Sequence, residues 1–275
     1  MATVASPIFV KERRPDLLSG TPRAHALDRW IFVFMAAWYI AIVLAGFIPD
    51  SIMKVGMVQA GARPPFPAVL HMHAVLMGSF LLLLLAQTWL MATGRKALHM
   101  QLGVLGMVLA AALVIVGFIL VPTNHHLLWK EVQAATTPAQ RADLMLTVRI
   151  WENIMLLQIW IGLAFALFIA IGLKVREASA GLHKRMMILA VAMPLPAGFD
   201  RIVWLPSTMP FNPLSAELYV LLAVSPMFIW DVVRNRQVHR AYWIFLGVNV
   251  PVAIAVNLLW DTPGWHATAR ALMGA

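Results

Sequence analysis

The chain has 275 residues, 61% hydrophobic and only 12% charged, with a mean hydropathy of +0.79. A soluble domain would carry roughly a quarter charged residues, so this is the composition of an integral membrane protein. The net charge of +9 comes from short basic loops beside apolar runs, the pattern of orientation signals and anionic-lipid contact, which argues against a nucleic-acid groove. With no cysteine, disulfides, Cys-ligated zinc, iron–sulfur clusters, thiol catalysis and covalent c-type haem are excluded, and any metal or haem must be held by His, carboxylate or Met.

Residues 1–28 are polar, carry Lys11, Arg13, Arg14 and Arg23, and read as a cytoplasmic surface segment without a removable signal peptide. Apolar runs follow at about 30–48, 67–93, 100–121, 148–173, 186–206, 214–232 and 241–260, each near the ~20 residues a span requires. They predict an all-α, seven-transmembrane-helix bundle over 29–262, followed by a short outer tail at 263–275. Pro194, Pro196, Asp200 and Arg201 interrupt the fifth run, and Glu217 and Pro226 the sixth. The stretch 123–147 predicts a surface connection with a Pro-capped turn, a short amphipathic helix, and a second short helix from Thr137–Pro138. With the N-terminus inside, fourteen Lys and Arg fall on the inner side and seven on the outer. The positive-inside rule then puts the N-terminus in the cytoplasm and the C-terminus outside.

Polar side chains in a span cost free energy unless they find partners, which makes them functional candidates. At the inner face, His99 opens the third span and His183 opens the fifth. His99 shares a helical face with Gly103 and Gly106, at i+4 and i+7, where a flat macrocycle could approach. Two neutral imidazoles can hold haem iron axially, so His99 and His183 are candidates for a b-type haem. Interfacial histidines beside packing glycines are the plainer reading.

At the outer face stand His71 and His73, His125 and His126, Arg149 and Glu152, Asp200 and Arg201, and Glu217, with Gln87 further along the second span. His71 and His73 point about 200° apart on a helix, so one of them could bind a metal while the other meets lipid or loop. A second haem would take His71 or His73 with His125 or His126. Arg149 and Glu152 can pair at i+3. The prolines before Asp200 suggest a hydrated outer pocket, and a closing ion-pair network is the competing reading. Asn249 and Asn257 are candidates for interhelical hydrogen bonds.

The pieces LHMH at 70–73, Gln87, GRKALHMQLG at 94–103 and LHKRMM at 182–187, with Arg201, resemble a large group of bacterial multi-span membrane proteins of unknown function. The likeness spans about 70–201. The LHxxLG-type helix end is also similar to cytochrome b561-like haem membrane proteins. The resemblance implies a bacterial inner-membrane location and points to His73, His99 and His183 as metal- or haem-holding positions, without supplying a substrate.

Together these residues predict a membrane protein binding haem b, or alternatively a non-haem metal ion, and serving electron transfer with a membrane or redox partner. Two alternatives remain: an enzyme or transporter whose outer pocket (His73, Glu152, Asp200, Arg201) takes a lipophilic substrate, and a non-catalytic subunit of a membrane complex.

Overall fold

An apolar run in lipid must satisfy every backbone N–H and C=O within itself, and the helix does so. The computed structural model describes residues 16–19 and 25–274, so most of the basic N-terminal segment lies outside the described residues. The helices are α1 Ala26–Gln59, α2 Ala68–Ala92, α3 Lys96–Ala134, α4 Pro138–Val175, α5 Ala180–Ala192, α6 Pro196–Phe199, α7 Leu214–Asn235, α8 Arg240–Leu259 and α9 Pro263–Met273, with a 3-10 turn at Leu17–Ser19. No strand occurs among the described residues. Six helices, α1 to α4, α7 and α8, are long and apolar enough to cross a membrane.

Helix α5 lies at the centre. Leu182, Met186 and the run Ile188 to Ala192 are almost wholly buried, packed with Met35, Tyr39, Phe168 and Met227 of the surrounding helices. Its second half, Met186 to Ala192, is apolar on every side, as suits a helix surrounded by protein. The fifth run was expected to be one helix over 186–206; instead the regular helix starts at Ala180 and stops at Ala192. The cause is Pro194 and Pro196, which lack the N–H groups that would bond the carbonyls of Ala190 and Ala192. Those carbonyls accept instead from the amides of Met193 and Leu195, both at 3.2 Å, in tight i+3 turns. The chain then resumes as α6. Gly198 presses its carbonyl against Gly46 of α1 so closely that a Cβ on Gly46 would lie 2.1 Å from the oxygen.

The interrupted helix still travels far. Arg185 near its start meets Asp231 at the end of α7, while Arg201 beyond its end meets Asp50 on α1. Helix α1 spans that same thickness, from Asp28 beside Arg234 to Asp50, roughly 33 Å at 1.5 Å per residue.

Two expectations about the outer end are corrected. The stretch 123–147 forms no short helices of its own; it is the last part of α3 and the first part of α4. Helices α3 and α4, 39 and 38 residues long, run to roughly 57 Å and so project past a hydrocarbon core of about 30 Å. Pro122 lies inside α3 without ending it. Thr137 does cap a helix, its hydroxyl accepting from the Gln140 amide at 3.2 Å with Pro138 in the first turn, but that helix is α4 itself. Residues 263–275 are not simply a tail either: Thr262 caps α9 by accepting from Trp265 N at 3.2 Å. One face of α9, Trp265, His266 and Ala269, is buried on the bundle. Of the two asparagines, Asn257 reaches between helices to Glu217, at 3.0 and 3.1 Å, whereas Asn249 bonds Phe245 O in its own helix.

Candidate functional site

The corner between α2 and α3 turns on Gly94, whose φ of +79° is cheap only for glycine. It delivers His99 to the first turn of α3. Ser179, accepting from Leu182 N at 3.3 Å, caps α5 and sets His183 in its first turn. The two imidazoles meet there, ring centroids 6.4 Å apart and planes at 82°. His183 Nδ1 lies 2.8 Å from the carbonyl of Gly172. A carbonyl can only accept, so Nδ1 carries the hydrogen and, in the neutral ring, Nε2 keeps its lone pair. His99 Nδ1 is buried without a partner, as is Gln87 Oε1. Gln87 Nε2 donates to His99 O at 3.1 Å.

The Gly103–Gly106 face, expected to admit a macrocycle, is taken by α2. A Cβ on Gly103 would sit 3.7 Å from Gln87 Nε2, and one on Gly106 3.4 Å from Leu83. The glycines serve helix packing, and Gln87 belongs to this end of the bundle rather than to an outer pocket.

On the other side of α5 stands a charged cluster that sequence reading missed. Arg185 is fully buried. It grips Asp231 through Nε and Nη2 and Asp16 through Nη1 at 2.8 Å and Nη2 at 3.0 Å. Tyr242 donates to Asp231 at 3.0 Å, and Asn235 Nδ2 donates to Asp231 at 2.7 Å and Asp16 at 3.2 Å. Lys184 donates to Leu18 O, and Asn235 Oδ1 accepts from Leu17 N at 2.9 Å. Burial would raise the Asp16 carboxyl, but the hydrogen bonds and charge of Arg185 outweigh it and hold the group well below the usual range. A carboxylate depressed in this way contributes stability above its unfolded pKa and loses it only as the pH falls through the folded value. A second pair adjoins: Asp28 accepts from Arg234 at 2.8 and 2.9 Å and from Trp230 Nε1 at 3.0 Å. The available signal was the His-Lys-Arg run opening α5 together with an aspartate inside the sixth apolar run.

At the opposite end Glu152, fully buried, is bonded by α9. His266 Nδ1 lies 2.6 Å away and Arg270 Nε 2.8 Å, while Trp265 Nε1 donates to the Glu152 carbonyl at 2.8 Å. Arg149 does not pair with Glu152; it reaches Asp261 at 3.1 Å. His266 Nε2 also meets Asp261, at 2.9 Å, and this bond with the Arg149 charge keeps the Asp261 carboxyl below its ordinary value. His125 lies under α9, stacked on Trp129 with neither ring nitrogen hydrogen-bonded and 3.9 Å from Glu152 Oε1. His126 Nε2 contacts Met273 O at 2.8 Å. Removing one member of a buried ion pair strands the other, at a cost of roughly 3 kcal/mol. Glu152→Ala is therefore expected to release α9, read as lost hydrogen-exchange protection over residues 263–273 with α1 to α4 unchanged.

The other residues expected at the outer face go elsewhere. His71 is edge-on to Phe66, ring centroids 6.0 Å apart, and His73 keeps a buried, unpartnered Nδ1 on α2. Arg201 bonds Asp50 at 3.3 Å and lies over Phe47; Glu217 holds Asn257. Asp200 lines a separate recess with Ser207, Ser215 and Tyr219, of about 10 Å³, room for about one water. Glu152, Asp200 and Arg201 thus have different neighbours and form no common pocket. Among the described residues, no three His, Asp or Glu side chains are grouped to hold a metal ion.

These helices define a multi-pass α-helical membrane protein. No family model matches the chain, and no curated protein or solved structure matches it either.

Proposed function

We propose that the protein crosses a bacterial inner membrane seven times, N-terminus in the cytoplasm, and carries electrons through a b-type haem held by His99 and His183. The seventh crossing is the α5–α6 passage, which covers the same thickness as α1 between the Asp231 and Asp50 levels. The Lys and Arg bias of the loops supports the orientation.

One observation carries the haem reading: two imidazoles, ring centroids 6.4 Å apart, one with its Nδ1 committed to Gly172. Centroids 6.4 Å apart leave space for one iron bonded to a nitrogen of each ring, at about 2 Å per metal–imidazole bond. The Gly172 bond does what an outer-shell partner does for a ligating histidine, fixing its tautomer and orientation. With only two imidazoles at hand, the pair suits an iron whose other four ligands come with the porphyrin, and haem when bound supplies one-electron chemistry. The chain's part is to orient the rings, exclude water and set the polarity around them. A bare metal ion is the second reading, favoured by the filled Gly103–Gly106 face.

Detergent-purified protein is expected to show a Soret band and, on reduction, a sharp α band, both lost in His99→Ala and in His183→Ala and retained in His71→Ala and His126→Ala. Bound metal without a Soret band selects the second reading. Colourless protein free of iron and other metals defeats both.

A further inference from the structure

The geometry points to a carboxylate-binding site between α5 and α7 that the chain fills with its own Asp16. The receptor is built independently of its occupant. Arg185 is fully buried and clamped from behind by Asp231, which Tyr242 and Asn235 hold in turn. This leaves the Nη1 and Nη2 edge of the guanidinium presented as a fork, the shape that binds a carboxylate at two points. Asn235 Nδ2 adds a third donor at 3.2 Å.

Room for the anion is provided by Gly181, where a Cβ would stand 2.5 Å from Asp16 Oδ2 and 3.3 Å from Arg185 Nη1. A planar carboxylate lies flush against this wall, and a tetrahedral phosphate, with oxygens out of that plane, is expected to fit it poorly. Charge agrees: Arg185 and Lys184 against Asp231 leave one positive charge uncompensated without Asp16, and Asp28 and Arg234 nearby cancel. Asp16 is a small ligand on a short strap. Among the described residues, its own segment contributes Ser19 Oγ, at 2.6 Å, and Leu18 N, at 3.1 Å, to the same carboxylate. Beyond it, Leu17 N and the buried Leu18 side chain hold the strap to the bundle. Being tethered, Asp16 outcompetes free carboxylates through its effective concentration. A carboxylate that takes the fork releases residues 16–19, coupling ligand binding to the docking of this strap. The site lies two residues past His183, about 200° around α5, so it stands whether or not the His99–His183 pair binds haem.

The test is chemical rescue in Asp16→Ser, whose short side chain vacates the fork. The full-length variant is titrated with sodium formate, sodium phosphate and sodium chloride while thermal unfolding is followed. Formate is expected to raise Tm with the logarithm of its concentration, as a ligand of the folded state does. Phosphate and chloride should leave Tm flat, as should formate with the native chain and with Asp16→Ser combined with Gly181→Ala. If Asp16→Ser yields no folded protein in chloride, recovery of monodisperse protein in formate supports the site, and failure in both salts overturns it. An equal response to all three anions, or none to formate, also overturns it.

Discussion

Arg185→Ala is expected to leave little folded protein. Arg185 is buried on every side, and its guanidinium makes two contacts to Asp231, two to Asp16 and one to the Gly181 carbonyl at 2.8 Å. Removing it strands two carboxylates beside Tyr242 and Asn235 in the tightest part of the bundle. Breaking a buried pair from one side costs about 3–5 kcal/mol, a large share of the ~5–15 kcal/mol that holds a typical fold together. The loss comes from the abandoned charges more than from the missing contacts. Arg185→Lys is therefore expected to fail almost as badly, because an ammonium cannot serve two carboxylates through a planar fork. Arg185→Met with Asp16→Asn and Asp231→Asn, which strands no carboxylate, should recover most of the stability. Thermal unfolding and gel filtration in detergent decide it: a single mutant as stable as the triple mutant would show that the cluster does not hold the bundle.

The second large effect is expected at a glycine. Gly46→Ala would gain about 1 kcal/mol from helix propensity alone, yet its Cβ would stand 2.1 Å from the Gly198 carbonyl oxygen and 2.9 Å from the carbon. Both obstacles are backbone, so α1 and α6 must separate. Overpacking of this kind costs about 1–3 kcal/mol, and parting the helices also pulls Phe47 and Asp50 from Arg201. A net loss of about 2 kcal/mol follows, seen as a lower Tm. The reciprocal change is the control. A Cβ on Gly198 would meet Ile42 and Val43 atoms of α1 at 3.5 Å or more, ordinary contact, so Gly198→Ala should be near neutral. Equal Tm for the two variants would mean that the crossing is not held at this distance.

Much of the architecture could be read in the sequence, because length and hydropathy report lipid contact directly. Helices α1 to α4, α7 and α8 lie where the apolar runs do. The break near Pro194 and Pro196 was also legible, since each proline removes a donor. The start of α5 was not, because Ala180 to Arg185 reads as a basic loop while protein partners absorb its charges. The Arg185 cluster joins residues 169 and 46 positions apart, and no local pattern announces such a pairing. A lysine or arginine beside an apolar run carries the same signature whether it faces headgroups or a buried aspartate. His266 and Arg270 were overlooked for the opposite reason: they follow the last apolar run, where a helix folded back on Glu152 has no hydropathy signal of its own. The meeting of His99 and His183 follows from topology, because alternate crossings bring both helix starts to one face.

The tight turns after α5 bear on solvent. Discontinuous helices often let water deep into a protein, because their loose carbonyls need hydrogen-bond donors. Here Ala190 and Ala192, robbed of theirs by two prolines, are served by the amides of Met193 and Leu195, just before those prolines. Neither of those two carbonyls is left to draw water in for want of a donor.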